Sequence, residues 1–170
     1  MDLKSKIRDI KDFPKEGIIF KDITTALKDK EAFQECINQM CKGLEGKDID
    51  IIVGPEARGF IVGAAMSYKL KTGFVPIRKP GKLPGETISH EYELEYGTDK
   101  LEIHKDSIRP GDKVVIADDL LATGGTVLAT IKLIEDLGGE IVALNFLIEL
   151  EFLNARKVLN GYNVNSIIKY

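Results

Sequence analysis

The sequence predicts an α/β fold, a doubly wound, mainly parallel sheet flanked by helices, with a small N-terminal hood and a flexible lid loop. Three observations carry this. Short β-rich runs alternate with helical runs through the middle of the 170-residue chain, two strand–helix–strand units can be read in full, and two strands end in glycine-containing turns that lead into helices. No fixed-period repeat or low-complexity segment divides the chain, so residues 1–170 read as one domain.

The elements follow in order. Residues 1–30 precede the alternating pattern and are expected to form the hood. Ala32 to Leu44 has helical spacing in Phe33, Ile37, Met40, Cys41 and Leu44, and Asp48 to Val53 reads as a buried strand stopped by Gly54-Pro55. A helix starting near Phe60 follows, in which Gly63, Ala64 and Ala65 permit close packing on a sheet before the strand Phe74 to Ile77. Arg78 to Gly97, with Gly81, Pro84, Gly85 and Gly97, is too long and polar for an ordinary connection, which makes residues 78–104 the expected lid region. The second unit is Lys113 to Ala117, a helix Thr126 to Leu137 closed by Gly138-Gly139, and the apolar strand Ile141 to Ile148.

Composition narrows the function. With 24 basic and 27 acidic residues and a net charge of -3, the chain has no general attraction to nucleic acid or to an anionic membrane, so any phosphate binding must be local. Cys36 and Cys41 match neither a CxxC redox pair nor a zinc knuckle and suit a reducing compartment. No apolar run approaches the ~18 residues needed to span a bilayer, and Met1 to Lys11 is too charged for a signal peptide. The expected location is cytoplasmic.

The most informative stretch is VVIADDLLATGGT, Val114 to Thr126, where an apolar strand runs into two aspartates and then a Gly-rich turn opening a helix. Gly124 and Gly125 let backbone N–H groups approach an anion, and Thr123 and Thr126 add hydroxyl donors at the positive end of the helix. A lone TGGT is also an ordinary turn and cap, and two adjacent acids also serve as a helix N-cap pair. The motif lacks the lysine of a P-loop and the spacing of GxGxxG. Asp118 and Asp119 at a strand's carboxyl end can accept hydrogen bonds from ribose hydroxyls or reach a magnesium ion through water. GPEARGF, Gly54 to Phe60, follows the other well-defined strand and should open on the same sheet edge. There Arg58 offers a guanidinium fork to a diphosphate, while Glu56 also reads as a helix-start acid. In RKPGKLPGET, Arg78, Lys79 and Lys82 bring positive charge for a polyanion, or form a solvated surface. Phe20 in GIIFKDIT presents a ring on which a purine can stack, or a core side chain, with Leu120 as an opposing apolar wall.

Taken together and in this order, GIIFKDIT, GPEARGF, RKPGKLPG, LEYG and the Asp-Asp-to-TGGT run resemble the adenine-specific branch of the type I phosphoribosyltransferases over nearly the whole chain. The resemblance implies binding of phosphoribosyl pyrophosphate (PRPP), with Asp118 and Asp119 at the ribose and Ala122, Thr123, Gly124, Gly125 and Thr126 at the 5-phosphate. It places Glu56, Ala57, Arg58, Arg78, Lys79 and Lys82 at the pyrophosphate, with a cis peptide at Glu56-Ala57. Glu95 and Tyr96 would belong to the lid, Glu95 handling the adenine proton as general acid or base. That pair also reads as part of an alternating hairpin. Phe20 and Leu120 would hold the purine, and the backbone of Ile19 and Lys21 would read its amino edge. Many relatives carry arginine where this chain has Lys21. The expected participants are adenine, PRPP, AMP, pyrophosphate and Mg2+, with no direct protein ligand to the metal, in a homodimer without nucleic-acid or membrane partners. A rival expectation, a PRPP-sensing regulator on nucleic acid, calls for a basic face or an added DNA-binding domain, against which the net charge weighs.

Overall fold

The computed structural model describes residues 1–93 and 96–170. The hood begins with an antiparallel hairpin, β1 (Arg8–Lys11) and β2 (Ile19–Asp22), pinned by Arg8, whose Nε donates to Asp22 Oδ2 at 2.9 Å. A short helix α1 (Thr24–Lys28) follows. Asp29 then caps α2 (Lys30–Cys41) by accepting from the Glu31 and Ala32 amides, which starts this helix two residues before the apolar periodicity begins. Cys36 and Cys41 are both buried and unbonded to each other.

The central sheet comprises β3 (Ile51–Pro55), β4 (Gly73–Ile77), β7 (Lys113–Leu121), β8 (Glu140–Glu149) and β9 (Val164–Lys169), all parallel, in the order β4-β3-β7-β8-β9. Helix α3 (Arg58–Leu70) connects β3 to β4, and α4 (Gly125–Asp136) connects β7 to β8. The two units run outward in opposite directions from the β3–β7 boundary. In such sheets the loops after the central strands diverge and leave a crevice at their carboxyl ends. One apolar cluster gathers α2, α3 and the hood residues Leu3, Ile7 and Ile23 on one face, and a second gathers α4 on the other. Gly63 does permit close packing, since a Cβ there would lie 2.7 Å from the Phe74 ring, whereas Ala64 faces solvent.

Three features differ in detail from the sequence expectation. Strand β7 continues through the paired aspartates to Leu121 instead of stopping at Ala117, because residues 118, 120 and 121 still pair with β8. Much of the long polar segment is a regular antiparallel hairpin, β5 (Thr87–Glu93) with β6 (Thr98–His104). Its inner face carries Leu101 and Ile103, which are fully buried. Finally, the edge strand β9 and a one-turn helix α5 (Ala155–Val158) complete the C-terminal region.

Candidate active site

The carboxyl ends of β3 and β7 enclose a cavity of about 340 Å³, lined by residues 56–58 from the first loop and by residues 118–120 and 122–127 from the second. The two segments expected from sequence to face each other therefore do so. Gly124 holds a left-handed conformation, φ 95°, and no side chain caps the N-terminus of α4. The first amides of that helix open toward the cavity with their positive end free for an anion.

The two aspartates, equivalent by sequence, have different surroundings. Asp119 is buried and accepts a hydrogen bond from Arg58 Nε at 2.5 Å. Asp118 packs against Gly59, where a Cβ would come within 2.9 Å of its Oδ1, and it accepts the Asp119 backbone N–H at 2.8 Å. Burial, and then the neighbouring Asp119 charge, push the Asp118 carboxyl well above its ordinary value. Glycine at 59 leaves room at the start of α3 for both the Pro55 ring, whose Cδ would lie 2.8 Å from a Cβ there, and the Asp118 carboxylate.

Glu56 explains how the basic segment is attached. Its Oε1 accepts the Lys79 backbone N–H at 2.8 Å and Arg78 Nε at 3.3 Å, and the Glu56 amide donates to Ile77 O at 2.9 Å. The acid therefore anchors the end of β4 beside the loop. The Glu56–Ala57 peptide is cis. Lys79 is drawn toward the β5–β6 hairpin, where its Nζ pairs with Asp99 and lies 3.2 Å from the Tyr92 hydroxyl. Lys82 is exposed.

On the hood side, Arg58 lies over the Phe20 ring, with its Cζ 5.2 Å from the centroid, so one guanidinium touches the expected base-stacking ring and the expected ribose carboxylate. Phe13 adds an edge contact to Phe20 at 5.2 Å. Leu120 lines the cavity, and Ile19 is 52% exposed. The Lys21 side chain turns away from the cavity to Asp9, at 2.7 Å, and lies 3.8 Å above the Tyr170 ring. Tyr96 is 81% exposed, and Glu95 lies outside the described residues.

A family model, the phosphoribosyl transferase domain, matches residues 23–160. Over all 170 residues the chain is 70% identical to an adenine phosphoribosyltransferase of Alkaliphilus metalliredigens, covering 100% of both proteins. The chain belongs to the adenine phosphoribosyltransferase family. A solved adenine phosphoribosyltransferase from Thermoanaerobacter pseudethanolicus superposes with a TM-score of 0.96 at 59% identity, covering 99% of this chain and 98% of that one. The Saccharomyces cerevisiae enzyme, solved with adenine and an iminoaltritol bisphosphate, gives 0.91 at 40% identity, covering 97% and 96%. Two residues that the sequence did not single out, Tyr92 and Asp99, lie beside the cradle and the basic segment of this adenine phosphoribosyltransferase-family chain. Tyr92 packs beside Gly125, with its Cδ2 3.6 Å from where a Cβ there would lie, and Asp99 holds Lys79. The alternating pattern of EYELEYG was the available signal for Tyr92, while Asp99 had none.

Proposed function

We propose that this chain transfers the 5-phosphoribosyl group of PRPP to adenine, giving AMP and pyrophosphate. The carrying observation is the single cavity in which a helix-terminal cradle and the Arg58 loop flank paired carboxylates. Residues 122–126 take the 5-phosphate, and Asp118 and Asp119 take the ribose hydroxyls. Arg58, Arg78, Lys79 and Lys82 neutralise the diphosphate, with Glu56 holding the backbone of the last segment in place.

Departure of the diphosphate leaves positive charge on the ribose ring, an oxocarbenium-like transition state. Carboxylates at 118 and 119 stabilise it electrostatically. As Arg58 turns to the diphosphate, Asp119 is released to accept from the sugar. Phe20 and Leu120 enclose the purine, and the Ile19 and Lys21 backbone selects the amino edge of adenine over the reversed polarity of hypoxanthine. Glu95 manages the adenine proton, and Tyr96 and the hairpin exclude water.

Among the described residues, no group of three or more His, Cys, Asp or Glu is arranged to hold a metal, and Asp119 already has a cationic partner. That donor set suits Mg2+ carried on substrate oxygens, with Asp118 or Asp119 reaching it through water. When bound, the ion supplies charge neutralisation for the leaving group. A homodimer fits the exposed Ile61 and Tyr68 on α3, which a second copy would cover. PRPP is too highly charged to cross a membrane unaided, which favours the cytoplasm as the site of reaction. Initial rates with PRPP and Mg2+ and a panel of adenine, hypoxanthine, guanine and xanthine test the reading. Adenine should be preferred by orders of magnitude. Equal use of the bases, or tight nucleic-acid binding without turnover, would reject it.

A further inference from the structure

Behind the phosphate cradle, on the side away from the cavity, the chain places the one-turn helix α5. A Cβ added to Gly124 would lie 2.8 Å from Val158 Cγ2 and 3.5 Å from Ala155 Cβ. Two side chains of a four-residue helix therefore lie directly behind the glycine that shapes the cradle and leave no room for a larger residue there. A single helical turn has almost no intrinsic stability, because nucleation fixes several residues for very few hydrogen bonds. Contacts that α5 makes with the rest of the fold must hold it at this distance.

Arg156 makes the polar share of those contacts, beside the buried Ala155 and Leu159. Its Nε donates to Glu149 Oε1 and its Nη2 to Glu149 Oε2, both at 2.8 Å, a two-pronged pairing of guanidinium with carboxylate. Nη1 reaches Val164 O at 3.1 Å and Nη2 reaches Ser166 Oγ at 3.2 Å. Ser166 Oγ also donates to Glu149. Glu149 is 3% exposed, and the Arg156 hydrogen bond is the main reason its carboxyl lies below the ordinary range. One side chain thus ties α5 to the last residue of β8 and to the edge strand β9. Glu149 pairs in register with Leu121, the final residue of β7, and Leu150 N donates to Leu121 O at 3.0 Å. The fork is anchored one strand away from the start of the cradle.

We infer that Arg156 is a positioning residue for PRPP: through its fork to Glu149 it seats Ala155 and Val158 against Gly124, fixing the cradle amides where a phosphate meets them. This rests on residues 122–126 being the 5-phosphate cradle. The paired network lines no part of the cavity, so its effect on substrate passes through the contact at Gly124. Specificity for the phosphate end follows, because Ile19, Phe20 and Lys21 lie on β2, whereas Ala155 and Val158 lie behind Gly124.

The test combines Arg156→Lys, which keeps the charge but loses the planar fork, with Val158→Ala, which trims the contact and leaves the fork intact. Each should raise KM for PRPP about tenfold, well inside the ~100-fold that a 1 Å misplacement can cost. KM for adenine at saturating PRPP should stay at the wild-type value. The double variant should be no worse than the more impaired single variant, because both act through one contact. A lowered melting temperature with unchanged KM values, a parallel rise in both KM values, or additive effects would overturn the inference. If Arg156→Lys does not fold, Val158→Ala decides by the same KM comparison. Thr126→Ala serves as the control on the cradle. If it leaves KM for PRPP unchanged, the cradle assignment fails and this inference with it. If it raises KM while Val158→Ala and Arg156→Lys do not, the inference alone fails.

Discussion

Replacing Asp119 by asparagine removes one charge, preserves shape and separates the two acids at the cavity floor. Asp119 is 4% exposed and paired with Arg58, whose side chain is 43% exposed. Solvent screening on the arginine side limits the loss of stability to about 1 kcal/mol. Catalysis should suffer more, since a ribose hydrogen bond and a charge facing the developing cation are lost together. Effects of that type cost about 3–4 kcal/mol, a factor of roughly 10²–10³ in kcat/KM for PRPP. The same change acts on Asp118, whose carboxyl is raised above 3.8 by burial and then by the Asp119 charge. A carboxyl raised on folding favours the folded state below 3.8 and loses that contribution as pH rises through its folded value. Asp119→Asn lowers that folded value, so the loss of stability with rising pH should shrink and any acid limb of kcat/KM due to Asp118 should move to lower pH. Steady-state kinetics and thermal melting across pH read both effects. A variant within about threefold of wild-type kcat/KM, or one whose melting temperature has the wild-type pH profile, would refute the reasoning.

Glu56→Gln removes a charged acceptor from the Lys79 amide and Arg78 and should raise KM for PRPP about tenfold with little change in kcat, since a hydrogen bond to a charged group contributes about 1.5–3 kcal/mol. A fall in kcat at unchanged KM would instead place Glu56 in the chemical step. Tyr170 lies between Lys4 and Lys21, with ring centroid distances of 4.3 and 3.8 Å, and the Lys21 backbone is assigned to adenine. Tyr170→Ala should therefore raise KM for adenine by a factor of about 2–5, the size of one exposed cation–π contact, while Tyr170→Phe keeps the ring and should behave as wild type. Equal defects in both variants would point to the hydroxyl and reject the ring as the anchor.

The parallel sheet was legible because apolar runs such as 114–117 and 141–148, the latter broken only by the buried Asn145, belong to strands buried on both faces, whereas their ends were not, since β3 continues through Gly54 to Pro55. The β5–β6 hairpin was not. Its glycines and prolines cluster before Thr87, and its inner face is closed by α4, so only Leu101 and Ile103 look like core when read in isolation. Strand β9 escaped for a related reason. As an edge strand it carries Asn165 and Ser166, whose polar side chains bond to Asn145 and Glu149. Polar composition normally signals a loop, and here it signals a sheet edge with designated partners.

At the site, contiguous function was readable and distributed function was not. Strand, acids, glycines and helix in one thirteen-residue run declare an anion site because each part acts on its neighbour along the chain. Arg58 and Asp119 are 61 positions apart, and only the β3–β7 adjacency turns two separately interpretable residues into a pair. That pairing also breaks the apparent equivalence of the two acids. Asp119 faces the Arg58 guanidinium, whereas burial and then the Asp119 charge push the neighbouring Asp118 carboxyl above its ordinary value. Gly124 extends the point. Its left-handed turn can be foreseen from TGGT, but the space behind it is set by Val158, and Val158 is held by a fork whose carboxylate ends a different strand. A phosphate loop built from small residues has little stiffness of its own, so its geometry must be imposed from outside by side chains that no local motif contains.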